Sequence, residues 1–115
     1  AETDTGGPSG GLMQALYIYN SLIEEDLSRG MKIGGTGTIN VDGTVGPIGD
    51  IEQKIYTSVK NNIDVFFVPF LSGEPDDNYM RAQAVLETLD TDMILVGVST
   101  INEAIAFLET YTGGH

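Results

Sequence analysis

The stretch Asp64-Val65-Phe66-Phe67-Val68-Pro69 sets four consecutive apolar residues between an aspartate and a proline. An unbroken apolar run of this length, closed by a residue that cannot donate to a ladder, predicts a strand buried on both faces. A counterpart follows at Met93-Ile94-Leu95-Val96-Gly97-Val98. Between the two, Asp76 to Leu89 has amphipathic helical spacing after the turn Gly73-Glu74-Pro75. Two continuous apolar strands joined through a helix predict a parallel pair covered by helices on both sides.

Working upstream, Asp50 stands where it can cap a helix running from about Ile51 to Asn61. Ile51, Ile55, Ser58 and Val59 share one face of that helix at spacings of three and four. Met31 to Val41 alternates loosely and is rich in Thr and Ile, which predicts a strand. Asp42-Gly43 is a hairpin signal, and the return strand Thr44 to Ile48 carries Pro47, which suits an edge or a strand end. Residues 1–11 read as a loop, followed by a helix from about 11 to 24 whose apolar face includes Leu12, Met13, Leu16 and Tyr19. Downstream, Ile101 to Tyr111 predicts a closing helix with Asn102 or Thr100 near its start, and the tail Thr112-Gly113-Gly114-His115 reads as frayed. The expected fold class is therefore mixed α/β, or α+β: a hairpin followed by helix–strand–helix–strand–helix. One domain over residues 1–115 accommodates it.

Composition narrows the function. The formal net charge is −12, from 17 Asp and Glu against five Lys and Arg. Such a surface repels phosphate backbones and anionic lipid, which argues against nucleic acid and membrane surfaces as partners. No apolar run approaches a membrane span, so no membrane contact is expected of this segment. With no cysteine in the chain, thiolate nucleophiles, disulfides and thiolate metal sites are excluded.

Gly7-Pro8-Ser9-Gly10-Gly11 matches G-x-S-x-G. The polar Glu2-Thr3-Asp4-Thr5 ahead of it is not the buried strand of an α/β-hydrolase elbow. The single histidine is His115, at the end of a glycine tail, so a Ser–His–Asp triad has no usable base. A serine nucleophile would then need a lysine, and the chain offers Lys32, Lys54 and Lys60. A lysine acting as base must be neutral, and an apolar pocket favours that form. Lys54 lies near Ile51 and Ile55, just after Gly46-Pro47-Ile48-Gly49. From these residues alone, Ser9 reads equally as a helix N-cap and Lys54 as a solvated helix lysine. The run Gly34-Gly35-Thr36-Gly37 lacks the register of a phosphate loop and reads as a strand that needs close backbone packing or a bulge. With no phosphate loop and few strands, a flavodoxin-like small-molecule-binding domain is disfavoured.

Taken together, the motifs resemble the proteolytic domain of Lon-type proteases. Gly7-Pro8-Ser9-Gly10-Gly11 looks like that family's G-P-S-A-G nucleophile motif, and Thr36-Gly37 like its T-G strand. Val45-Gly46-Pro47-Ile48-Gly49-Asp50-Ile51-Glu52-Gln53-Lys54 looks like its hairpin return and lysine-bearing helix. Gly10-Gly11-Leu12-Met13 and Ile33 to Ile39 most resemble the secreted or membrane-anchored branch that couples a PDZ domain to a Lon protease domain, which implies an extracytoplasmic location. The resemblance implies a serine endopeptidase acting through a Ser–Lys dyad and an acyl-enzyme. Ser9 would be the nucleophile and Lys54 the general base. Thr36 would hold Lys54, and backbone amides around Ser9, including that of Gly10, would form the oxyanion hole beside Pro8. It implies a polypeptide substrate, no metal, no organic cofactor, and a homo-oligomer of the kind seen in family rings.

This chain departs from the family pattern where Gly10 replaces alanine and Asp50 replaces a second glycine. A carboxylate at Asp50 would oppose a neutral base at Lys54. The family also has a β-rich segment ahead of the nucleophile, so the chain is expected to be the C-terminal part of the domain, partnered by that upstream segment. The alternative function is a non-catalytic binding or scaffold domain with a Lon-protease-like fold.

Overall fold

Strand β4 (Val65–Pro69) is buried at every position and forms the centre of the molecule. The computed structural model describes residues 10–22, 30–46, 48–70 and 77–111. β4 lies between β1 (Ile33–Gly35) and β5 (Ile94–Val98) in a three-stranded sheet of order β1-β4-β5, parallel throughout. Register runs from Val65 opposite Ile94 to Pro69 opposite Val98 on one side, and from Ile33 opposite Val65 on the other.

The two faces of β4 separate by residue parity, as the period of a strand requires. Val65 and Phe67 join Leu12 and Leu16 of α1 (Gly11–Leu22) and Ala104, Ile105 and Leu108 of α4 (Ile101–Thr110). Phe66 and Val68 join Ile51 and Ile55 of α2 (Ile51–Lys60) and Ala82 of α3 (Asn78–Leu86). The result is a sheet between two helical layers, which explains why the strand reads as a continuous apolar run. Each of these Val, Leu, Ile and Phe side chains contributes about 1.5–3 kcal/mol on full burial. Phe67 also meets Phe107 edge to face, with ring centroids 5.9 Å apart.

The single strand expected over Met31 to Val41 is two strands in different sheets. β1 ends at Gly35, and β2 (Thr38–Ile39) pairs antiparallel with β3 (Val45–Gly46). Thr36 still donates its amide to the Phe67 carbonyl at 2.9 Å, but Gly37, at φ 151°, turns the chain out of the parallel sheet. The expected return strand Thr44 to Ile48 shortens to Val45–Gly46, because its flanks are engaged elsewhere. Val45 donates to the Ser99 carbonyl at 2.8 Å, and Ile101 donates to the Gly43 carbonyl at 2.9 Å. These bonds stitch the hairpin to the junction of β5 and α4. The Asp42-Gly43 turn is present: Asp42 Oδ1 accepts from the Thr44 hydroxyl at 2.7 Å and from its amide at 3.0 Å. The two bonds hold the Asp42 carboxyl below the usual carboxylate range, the hydroxyl having the larger effect.

The helix expected over Asp76 to Leu89 is Asn78–Leu86, with Asp77 as its cap, accepting from the Met80 amide at 3.3 Å. Thr100 caps α4 by accepting from the Glu103 amide at 3.2 Å, and the Glu103 carboxylate accepts from the Ser99 amide in return. The turn at Gly73-Glu74-Pro75, residue Pro47, the end of the first predicted helix and the tail lie outside the described residues.

Candidate active site

The first turn of α1 and the segment that follows β1 meet at the carboxyl end of β1. Thr36 follows the strand directly and is 2% exposed. One residue on, the Gly37 carbonyl accepts from the Leu12 amide at 3.0 Å. This bond seats the first turn of α1 over the segment that joins β1 to β2. A Cβ on Gly11 would come within 2.9 Å of the Ile39 side chain, and one on Gly35 within 2.8 Å of Met13 Sδ. Close backbone packing, one of the two readings of the Gly34–Gly37 run, is thus what Gly35 supplies. The positive end of the α1 dipole faces this corner.

On the opposite face of the sheet, α2 brings up Lys54. Ile51 and Ile55 are fully buried beneath it, so the rotation of the helix about its axis is set by packing. Lys54 is half-buried and lines a groove of about 430 Å³ with Gly34, Gly35, Gln53, Ser58 and Phe66. Among the described residues its ammonium is held in no ion pair; the pair seen there is Arg81 with Glu52. Lys32 is spent elsewhere, with Nζ donating to the Asn61 carbonyl at 2.8 Å. Lys60 is exposed in the last turn of α2. Lys54 is thus the lysine that lines this groove beside Gly34 and Gly35.

The family model of the Lon protease (S16) C-terminal proteolytic domain matches residues 2–109. This chain belongs to that family. A Lon protease of Aster yellows witches'-broom phytoplasma (strain AYWB) is 22% identical to it over 100 residues, covering 87% of this chain and 12% of that protein. The chain therefore spans a small part of the length of the relative it matches.

Of the residues expected to act in this Lon domain, Lys54 lines the groove beside Gly34 and Gly35, and Thr36 is buried directly after β1. Gly10 stands at the entry to α1, exposed, and a Cβ there would meet open space. Ser9 and Pro8 lie outside the described residues.

Asp50 departs from its expected role. It occupies the N-cap position of α2 but in the left-handed conformation, at φ 55° and ψ 35°, and its side chain makes no capping bond. A backbone held there explains why glycine suits this position, since a Cβ costs about 1–2 kcal/mol in that region and Asp is among the better-tolerated residues. Asp50→Gly is expected to leave thermal stability within about 1 kcal/mol of the parent, whereas the β-branched Asp50→Val loses about 1–2 kcal/mol. Parallel thermal melts of the two variants measure this directly.

Sequence reasoning missed Asn78. It is 3% exposed and bonds the backbone of Ile48, a residue 30 positions away.

Proposed function

We propose that this domain hydrolyses peptide bonds through Ser9 as nucleophile and Lys54 as general base. The observation that supports the reading is the half-buried Lys54, held in no ion pair among the described residues, lining a groove with Gly34 and Gly35 in a chain whose residues 2–109 match the Lon proteolytic domain. Ser9 Oγ attacks the scissile carbonyl as its proton passes to Lys54 Nζ. The tetrahedral oxyanion collapses to an acyl-enzyme as the protonated lysine returns a proton to the leaving amine. Water, deprotonated by Lys54, then releases the acid and restores the serine. Thr36 keeps the lysine in line from its buried position beside Gly35.

The oxyanion falls to backbone amides at the start of α1. The Leu12 amide is already given to Gly37, whereas the amides of Gly10 and Gly11 have no partner among the described residues. Preorganised amides of this kind stabilise developing negative charge without reorganising in the reaction. The wording of residues 10–13 and 33–39 supports assignment to the branch that joins a PDZ domain to a Lon protease domain and acts outside the cytoplasm, and the family resemblance extends the reading to a homo-oligomer acting on polypeptide substrates.

The test is covalent labelling. A fluorophosphonate reagent given to the intact polypeptide that carries this sequence is expected to modify Ser9, located by peptide mass mapping, and Ser9→Ala is expected to remove the label. Labelling of another residue, or none in an enzyme that cleaves peptides, overturns the assignment.

A further inference from the structure

Helix α2 carries the proposed base but has no cap of its own, because the Asp50 side chain makes no bond to its first turn. What fixes the start of α2 comes from α3. Asn78, the first residue of α3, reaches across to Ile48, two residues before Asp50. Its Nδ2 donates to the Ile48 carbonyl at 3.0 Å, and its Oδ1 accepts from the Ile48 amide at 2.8 Å. The carboxamide thus pairs with both backbone groups of one residue, as a neighbouring strand would. One turn along α3, Arg81 Nε and Nη2 donate to the two Glu52 carboxylate oxygens at 2.8 and 2.9 Å. Glu52 lies two residues before Lys54. Its carboxyl sits below the usual range, first through a backbone bond of its own and then through Arg81. The Asp77 cap fixes where α3 begins, and so where Asn78 stands.

The two links differ in weight. The Arg81–Glu52 pair is well exposed, at 43% and 40% of the side chains, and exposed pairs contribute little. Asn78 is buried, and a buried carboxamide is tolerated only where its donors and acceptors are matched. Its removal would also leave the Ile48 amide and carbonyl without the partner they have here. A small aliphatic side chain would fill the same space without that directionality.

We propose that Asn78 is a positioning residue for Lys54. By clamping Ile48 it sets the height and rotation of the first turn of α2, and with them the place of Lys54 in its groove beside Gly34 and Gly35. This inference rests on the reading of Lys54 as general base.

A double-mutant cycle in the intact polypeptide tests it, with peptide cleavage assayed well below the Tm of every variant. Asn78→Ala is expected to lower kcat about 100-fold, the order that follows from misplacing a catalytic group by an ångström, with KM held within about twofold. Asn78→Asp keeps the acceptor for the Ile48 amide but sets a carboxylate oxygen against the Ile48 carbonyl, so its kcat falls at least as far as that of Asn78→Ala. In a Lys54→Ala background, Asn78→Ala is expected to have no further effect, because it acts through the lysine. Wild-type kcat in folded Asn78→Ala, or the same loss with and without Lys54, overturns the positioning role alone. Should Asn78→Ala not fold, Asn78→Ser, which leaves a small polar group at the buried site, takes its place in the cycle, and the same two results overturn the role. Retention of cleavage by Lys54→Ala instead takes down the general-base reading, and this one with it.

Discussion

Lys54→Met is expected to lower kcat for peptide hydrolysis by at least about 1,000-fold, within the range that loss of a general base or a nucleophile–base unit produces. Methionine keeps the unbranched apolar stem that lies along Gly34, Gly35 and Phe66 in the groove. What it removes is the nitrogen proposed to accept the serine proton. The change should cost little stability. Lys54 is half-buried, holds no ion pair among the described residues, and sits over a helix anchored by Ile51 and Ile55 rather than by its own contacts. Lys60→Met is the control, since Lys60 is exposed at the far end of the same helix. Steady-state cleavage of a fluorogenic peptide, with thermal melts alongside, separates the effects. A Lys54→Met enzyme within about threefold of the parent kcat would exclude this lysine as the base.

The elements legible in the sequence are those whose physics is local. β4 and β5 announce themselves because a strand buried on both faces has no polar face to interrupt the run. Thr100 is one of two candidate caps for α4, and the structure selects it because its hydroxyl meets the Glu103 amide. The break at Thr36-Gly37 is hidden for a related reason. The β-rich, loosely alternating pattern continues from Ile33 to Ile39, and a linear pattern does not record that the chain has changed sheets. Asp50 misleads because an acidic residue ahead of a helix is the ordinary signature of a cap, and only the dihedral angles reveal the left-handed turn. Asn78 is invisible because its partner is a backbone unit distant in sequence, with no residue type to signal it. Lys54 is not separable from Lys32 and Lys60 by spacing. Motif order singles it out, and in the structure Lys32 is bonded at Asn61 and Lys60 is in solvent.

Gly37→Ala is expected to be the most damaging single change to stability at this corner, costing about 2–6 kcal/mol. A non-glycine residue forced into this sparsely populated region costs on the order of 1–3 kcal/mol, and Gly37 sits at φ 151°. Overpacking adds about 1–3 kcal/mol, because the new Cβ would stand 2.9 Å from Val45 Cγ1 and 3.4 Å from Pro69 Cγ. Against a total stability of about 5–15 kcal/mol, such a loss is a large fraction, and a fall in Tm of roughly 10 °C or more follows from the scaling for small domains. The effect should not stop at stability. The Gly37 carbonyl seats α1 through Leu12, so any relief of the clash moves the helix start that precedes the reacting corner. The fraction that stays folded is therefore expected to cleave peptides at least about tenfold more slowly, as misplacement of reacting groups requires. Gly10→Ala is the matched control, since its Cβ meets open space and it changes the same α1 start without disturbing the Gly37 bond. Melts and kcat for the two alanine variants, measured side by side, distinguish a corner held by Gly37 from a helix start that merely prefers glycine: equal losses in both would reject the corner, and loss in Gly37→Ala alone would establish it.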